Sequence, residues 1–504
     1  MSMRKNNGMK ATINILLVLI VTGLLTECES KKEEKERPNI LYIMSDDHAV
    51  NAIGCYDMRL SDVAYTPNID NLASEGMRFS NVFVTNSICT PSRAAILTGK
   101  YSHENGVYIL NQPIPEQPTS ATILQDAGYT TALFGKWHLV SEPFGLDEYM
   151  VLEKQGRYQD PEFFSKGSSE KIEKKGWADD VITDLTMDYI KGLDKSKPFY
   201  VMTQFKGAHD PWDSRTPFDT LFENIDIPIP DNLCDTYENR TEASKRTTLK
   251  LDILDWKTFH HTKLETDDIC EQRKHIYQQY IKAYLRSAAV MDYQVGRLME
   301  FLEEQGLAEN TIVVYTSDQG HFLGEHGFFS KRFMYDESMQ MPLIVRYPGK
   351  VKAGSVEDAL VANIDFAPTL IDLVGEKVPA DMQGESIKGF LFGNPPTEWR
   401  DGIYYHYWQH ILHRDVAAHY GIRTKDYKLI FFYGLNLGQT EEAATPPEWE
   451  LFDLRKDPME MNNVYADPEY ADVVEELKLQ MDELKVQYHD TDDQFPELDS
   501  LRNG

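Results

Sequence analysis

Pro38-Asn39-Ile40-Leu41-Tyr42-Ile43-Met44, followed by Ser45-Asp46-Asp47, is an unbroken apolar run that stops at two carboxylates. A strand that is apolar at every position, rather than every second one, is buried on both faces. That is the condition of a parallel strand inside a sheet covered by helices. Working outward, similar short apolar runs occur at 130–134, 199–205, 311–316 and 343–347. Helical patterns lie between them. The clearest is Ile276, Tyr280, Ala283, Ser287, Met291, Gln294, Leu298 and Leu302, closed by Gly306. The alternation predicts an α/β domain with a large, mainly parallel sheet flanked by helices. Polar residues follow the strands: Asp46 after the first, Lys136 and His138 after the next, then His209 and Asp318. In open α/β sheets, sites form beyond the carboxyl ends of the strands, so these distant residues are expected to share one pocket.

A chain of 504 residues accommodates two domains. We divide it into a signal segment and charged tether (1–37), a main α/β domain (38–388) and a smaller α+β domain (389–504). In the last, 402–408 and 427–433 are rich in β-formers and aromatics, which predicts an antiparallel sheet, and 472–486 reads as an amphipathic helix. Residues 213–268 form a long polar insertion.

The formal charge of −30 argues against nonspecific nucleic-acid binding, which needs a basic surface. Any anionic substrate must be held locally, by a few Lys and Arg and a divalent cation. Arg4, Lys5 and Lys10 precede the apolar run 13–25, as in a secretory signal, and the run is short for a membrane span. Cys28 after Leu25-Thr26-Glu27 resembles a bacterial lipobox. The expectation is export to the periplasm or surface of a Gram-negative cell, either anchored by lipid at Cys28 or with the signal cleaved. Cys55, Cys234 and Cys270 have no metal-ligand spacing and predict no disulfide framework.

The run Cys89-Thr90-Pro91-Ser92-Arg93-Ala94-Ala95-Ile96-Leu97-Thr98-Gly99 resembles the signature of type I sulfatases. Gly135-Lys136-Trp137-His138 resembles that family's second signature, and Gly207-Ala208-His209-Asp210-Pro211 its His-containing loop, with Ala208 where the family usually has Pro. Glu450-Leu451-Phe452-Asp453-Leu454 with Asp457-Pro458 matches a late landmark. The resemblance implies an alkaline-phosphatase-like fold, and Cys89 oxidised to formylglycine (3-oxoalanine) by a maturating enzyme. It also implies a Ca2+ or Mg2+ ion held by Asp46, Asp47, Asp318, Gln319 and the modified Cys89. Gln319 stands where many members have Asn; both supply an amide oxygen. By the same resemblance Lys136 and His138 hold the hydrated aldehyde, with His138 as base. His209 is the acid for the leaving alcohol, Lys331 binds sulfate and Arg93 supports the centre.

Ser102-His103-Glu104-Asn105-Gly106, with His419-Tyr420-Gly421-Ile422-Arg423-Thr424, is similar to bacterial N-acetylglucosamine-6-sulfatases acting on mucin or heparan-type glycans. Trp408, His413, His419 and Arg332 are the sugar-binding candidates, with Tyr407 and His410 beside them; packing of the small sheet is the alternative for the aromatics. Three other readings stay open. One is a sulfatase for another position, uronate 2-O or galactose 6-O. Another is a phosphonate or phosphodiester hydrolase of the same superfold. The third is a silent glycan-binding protein.

Overall fold

Strand β1 (Asn39–Ser45) is buried at every position, and its side chains divide between two cores. Leu41 and Ile43 pack with Leu72 of α1 (Pro67–Glu75), Ile182 of α3 (Ala178–Lys191) and Met291, Val295 and Leu298 of α4 (Ile269–Glu304). Ile40, Tyr42 and Met44 face the other way. They join Ala94 and Leu97 of α2 (Cys89–Thr98) and Leu370 of α5 (Phe366–Leu373). Successive strand residues point to opposite faces, so helices on both sides demand apolar residues throughout. Each such side chain contributes about 1.5–3 kcal/mol on burial. The computed structural model describes residues 37–254 and 261–502. The signal segment, Cys28 and nearly all of the tether lie outside the described residues.

Nine further strands complete the large sheet. They are β2 (Met77–Phe83), β3 (Thr130–Gly135), β4 (Glu148–Leu152), β5 (Glu162–Ser165), β6 (Ile172–Glu173), β7 (Phe199–Gln204), β8 (Thr311–Ser317), β11 (Leu343–Arg346) and β12 (Ser355–Ala362). Their order is β12-β2-β11-β8-β1-β7-β3-β4-β5-β6. The centre, β8-β1-β7-β3-β4, is parallel. The sheet as a whole is mixed, because β11 runs antiparallel to both β8 and β2, and β5 and β6 close the far edge antiparallel. The apolar run at 343–347 cannot reveal its direction: a strand buried on both faces reads alike either way.

Between β8 and β11 the short hairpin β9 (Phe322–Leu323) and β10 (Phe329–Ser330) sits over the carboxyl ends of the strands. A second, antiparallel sheet follows: β13 (Gly402–Tyr407), β14 (His419–Thr424), β15 (Tyr427–Phe432) and β16 (Glu448–Asp453). Helix α6 (Ala471–Gln487) buries Val474, Leu477 and Met481. The aromatics of this sheet belong to the same apolar core as Ile40 and Tyr42, so both sheets share one interior.

Helix α4 begins earlier than its periodicity indicates. Asp268 caps it, accepting from the amides of Cys270 (2.9 Å) and Glu271 (3.1 Å). Cys270 in its first turn is bonded to Cys234, with Cα atoms 5.1 Å apart. This corrects the reading that these cysteines form no disulfide. The two are 36 residues apart, and only the folding of the insertion against α4 brings them together. Cys55 and Cys89 are free.

Candidate active site

The register of β1 and β8 builds the centre. Ser45 pairs with Ser317, so Asp46-Asp47 and Asp318-Gln319 leave the sheet side by side. The Asp47 amide donates to Asp318 Oδ1 at 3.1 Å. Oxygens of Asp46, Asp47 and Asp318, all buried, lie within 4.8 Å of one another. Cys89 is the first residue of α2 and 1% exposed, with its Sγ 3.7 Å from Asp46 Oδ1 and 3.8 Å from Gln319 Nε2. One turn along the helix, Arg93 Nε donates to Asp318 Oδ2 at 3.0 Å. Its Nη1 reaches the Lys136 carbonyl (2.6 Å) and Gln204 Oε1 (3.0 Å).

Three buried carboxylates repel one another, and three buried cations offset this. Lys136 Nζ pairs with Asp46, Lys331 Nζ with Asp47, and Arg93 with Asp318. Burial pushes Asp46 up, but Lys136, with His209, Arg93 and Lys331, holds it well below the usual carboxylate range. Asp318 goes the other way: burial and the neighbouring Asp46 raise it to about 6. Gln319 Nε2 donates to Asp47, while its Oε1 is buried without a partner. An orphan acceptor beside three convergent carboxylates is an all-oxygen donor set suited to a hard divalent cation.

His138 and His209 stand on opposite terms. Burial, Lys136 and Arg93 push His138 well below the usual imidazole range. Its Nε2 lies 3.1 Å from Asn111 Oδ1, and its Nδ1 is buried without a partner. His209 is also buried, but Asp210, Asp46 and Asp47 outweigh that and raise it to about 10. Its Nδ1 lies 3.3 Å from Asp210 Oδ1 and its Nε2 3.8 Å from Asp47 Oδ2. The loop before His209 is anchored by Asp179 near the start of α3, which accepts from the amides of Lys206 (2.9 Å) and Gly207 (3.3 Å).

Cys89, Arg93, Lys136, His138, His209, Lys331, Asp46, Asp47, Asp318 and Gln319 therefore meet around one point. Sequence reasoning missed two neighbours. Gln155 accepts from Lys136 Nζ at 2.5 Å and places Nε2 3.4 Å from His138 Nε2. Asn111 lies at φ 60°. Both sit in loops with no periodicity or motif to mark them. A cavity of about 810 Å³ opens beside His138 and Asn111, walled by Trp137, Tyr149 and Phe164. The sugar-side candidates divide. Trp408 and His419 are fully buried and stack on neighbours, Trp408 on His406 and His419 on Tyr405. Both are enclosed by the aromatics of the small sheet. His413 is exposed, and Arg332 is buried with Nε unpartnered.

A mixed α/β sheet with an acidic cluster and a helix-borne cysteine at its carboxyl edge defines a hydrolase centre of the alkaline-phosphatase type. The sulfatase family model matches residues 38–376, and the model of the C-terminal region of N-sulphoglucosamine sulphohydrolase matches 324–487. An N-acetylglucosamine-6-O-sulfatase of Bacteroides thetaiotaomicron is 40% identical, over 96% of this chain and 93% of its own. The human N-acetylglucosamine-6-sulfatase is 27% identical, over 78% of this chain and 71% of its own. A solved complex with the substrate D-glucosamine-2-N,6-O-disulfate superposes with a TM-score of 0.83 at 40% identity, covering 90% of this chain and 99% of that one. The chain belongs to the sulfatase family.

Proposed function

We propose that this chain removes the 6-O-sulfate of glucosamine or N-acetylglucosamine in sulfated glycans, using a formylglycine formed from Cys89. The observation that carries the reading is the position of Cys89. It is the first residue of α2, against Asp46 and Gln319, with Lys136, Lys331, His138 and His209 gathered round the same acidic cluster. The 40% identity to an N-acetylglucosamine-6-O-sulfatase and the likeness to the glucosamine disulfate complex support the choice of sugar.

Asp46, Asp47, Asp318 and Gln319 would hold a divalent cation, Ca2+ in our reading, which supplies Lewis-acid polarisation of a sulfate oxygen. Formylglycine supplies a hydrated aldehyde as nucleophile. The remaining chemistry belongs to side chains in place. His138, neutral and with Nδ1 free, is a proton acceptor. His209, held protonated by Asp210, is a donor to the departing alcohol. Lys136 and Lys331 offer positive charge where negative charge grows on oxygen. Because Cys89 is 1% exposed, a maturating enzyme must reach it before the chain folds. Export to the periplasm or cell surface, with Cys28 as a lipid anchor, completes the proposal; the Cys234–Cys270 disulfide supports an oxidising compartment.

The test is a mass spectrum across Cys89 in protein from its native host, then turnover of sulfated monosaccharides. A loss of ~18 Da, thiol to aldehyde, with hydrolysis of N-acetylglucosamine 6-sulfate ahead of the uronate 2-sulfate and galactose 6-sulfate, is expected. An unmodified, inactive Cys89 protein overturns the mechanism. A modified protein that prefers another sugar overturns the substrate.

A further inference from the structure

The proton donor His209 has supports that the chemistry above leaves unused. Its loop, 206–210, leaves the end of β7. The Gly207 carbonyl accepts from the Asp46 amide at 2.9 Å, which ties the loop to the acidic cluster, and the His209 amide donates to the Lys206 carbonyl at 3.1 Å. Two buried side chains then take hold of the far side. Tyr158, 2% exposed, donates from Oη to the His209 carbonyl at 2.6 Å. Lys206, 1% exposed, turns back along its own loop and donates from Nζ to the Asp210 carbonyl at 3.1 Å. The two supports also meet each other. The Lys206 ammonium lies 4.5 Å from the centre of the Tyr158 ring, within reach of a cation–π attraction.

The Asp210 carbonyl has a second donor, His209 Nδ1, at 3.0 Å. A carbonyl only accepts, so Nδ1 carries a hydrogen there and the ring is turned by that bond. Its other nitrogen, Nε2, then faces the acidic cluster, 3.8 Å from Asp47 Oδ2. Lys206 therefore fixes the oxygen that orients the His209 ring, and Tyr158 fixes the carbonyl next to it. Tyr158 is itself held from elsewhere. It lies in the connection between β4 and β5. Its ring stacks on Trp177 at 5.0 Å, and its carbonyl accepts from the Ala178 amide at 2.7 Å. Its hydroxyl proton goes to the His209 carbonyl, so the Ser287 hydroxyl of α4, 3.0 Å away, donates to Oη.

We propose that Tyr158 and Lys206 are positioning residues for the acid step, holding His209 so that Nε2 meets the departing alcohol oxygen. The inference deepens the sulfatase reading above and rests on it. When the S–O bond to the sugar breaks, its electron pair stays on the alcohol oxygen, and that oxygen takes the proton from His209 Nε2. Tyr158 and Lys206 exchange no proton in the step; their polar hydrogens stay on backbone carbonyls. A donor works only within hydrogen-bond reach of its target, and a displacement of about 1 Å can cost on the order of a hundredfold in rate.

The experiment is a double-mutant cycle in mature enzyme on N-acetylglucosamine 6-sulfate, run as single turnovers where the reaction is slow. The variants are Tyr158→Phe, Lys206→Met, His209→Ala and each of the first two combined with the third. Tyr158→Phe keeps the ring beneath Lys206 and loses only the hydroxyl. Either single variant should lower kcat by about ten- to a hundredfold with KM little changed. In the His209→Ala background the same changes should alter kcat by less than about twofold, because the group they position is gone. A second readout needs no turnover. In unmodified, metal-free protein with isotope-labelled histidine, the His209 ring signals, assigned by their loss in His209→Ala, should shift in both variants. Equal losses with and without His209 would mean that Tyr158 and Lys206 support only the fold, and would overturn the proposal. So would full activity with unmoved His209 signals. If Tyr158→Phe does not fold, Lys206→Met carries both comparisons. A mature wild type inactive on the 6-sulfate overturns the substrate reading beneath instead.

Discussion

Asp318→Asn should move the metal-free and metal-loaded proteins in opposite directions. In the metal-free protein the Asp318 carboxyl is buried beside Asp46, which raises it to about 6; an unfolded Asp titrates near ~3.9. The sign follows. Between those values the folded state holds a proton that the unfolded state has lost, so the stability Asp318 provides is complete below about 3.9 and declines as pH rises through 6. Two pKa units correspond to about 3 kcal/mol of penalty at pH 7.5. Asparagine removes the charge and keeps the Oδ1 acceptor for the Asp47 amide, at the cost of the Oδ2 that accepts from Arg93 Nε, so the resulting gain is an upper bound. For the compact unit Pro38–Gly504, an unfolding entropy of roughly 2.1 cal/mol/K per residue makes the gain about 3 °C in Tm. Calcium should act in reverse. Wild type at a hundredfold excess over Kd gains about 2.7 kcal/mol, and the variant, short of one anionic ligand, should gain little. Differential scanning calorimetry at pH 7.5, with chelator and with calcium, reads both arms. A metal-free Tm several degrees below wild type, or an undiminished calcium shift in the variant, refutes the reasoning.

Cys89→Ala should abolish turnover of N-acetylglucosamine 6-sulfate and shift Tm by only a degree or two, since Sγ makes only the long contacts to Asp46 and Gln319; residual activity above a hundredth of wild type would exclude the aldehyde mechanism. Opening the Cys234–Cys270 bridge with a paired Cys→Ala variant releases a loop of 36 residues. Loop entropy puts the loss at about 4 kcal/mol, or roughly 4 °C, checked by melting with and without reductant. His419 is fully buried, bonded through Nδ1 to the Ala417 carbonyl at 2.7 Å, and burial lowers it to about 3. It is neutral when folded and charged when unfolded below its ordinary value near ~6.5, so stability should fall as pH drops from 6.5 toward 3. A His419→Gln variant should melt with a flatter acid limb, and equal slopes for the two proteins would remove His419 from the account.

The parts of this molecule legible in its sequence are those set by short-range rules. The all-apolar run at 38–44 marks a doubly covered strand, and the spacing from Ile276 to Leu302 marks the body of α4. Asp46, Lys136, His138, His209 and Asp318 could be gathered in advance because each follows an apolar strand, and Cys89 and Arg93 because they stand in a recognisable motif. Long-range pairing was not legible. The direction of β11, the union of Cys234 with Cys270 and the approach of Gln155 to Lys136 depend on how insertions fold back. Aromatic content left two readings open at Trp408 and His419, sugar stacking and sheet packing, and both side chains are buried among the sheet's aromatics. An aromatic that stacks on sugar and one that packs a sheet have the same letters, so composition cannot separate them.

The charge pattern also explains how so acidic a chain can attract an anion. Around Cys89 each cation is matched by a carboxylate: Lys136 by Asp46, Lys331 by Asp47, Arg93 by Asp318, and His209 by Asp210. The cluster is thus neutral by its own residues and has no surplus for sulfate. A divalent cation on the three aspartates and Gln319 Oε1 would supply that surplus and leave Lys136 and Lys331 free to face an incoming oxygen. Attraction for a sulfate is therefore conditional on the metal. This arrangement confines positive potential to a few ångströms of a surface that otherwise repels polyanions.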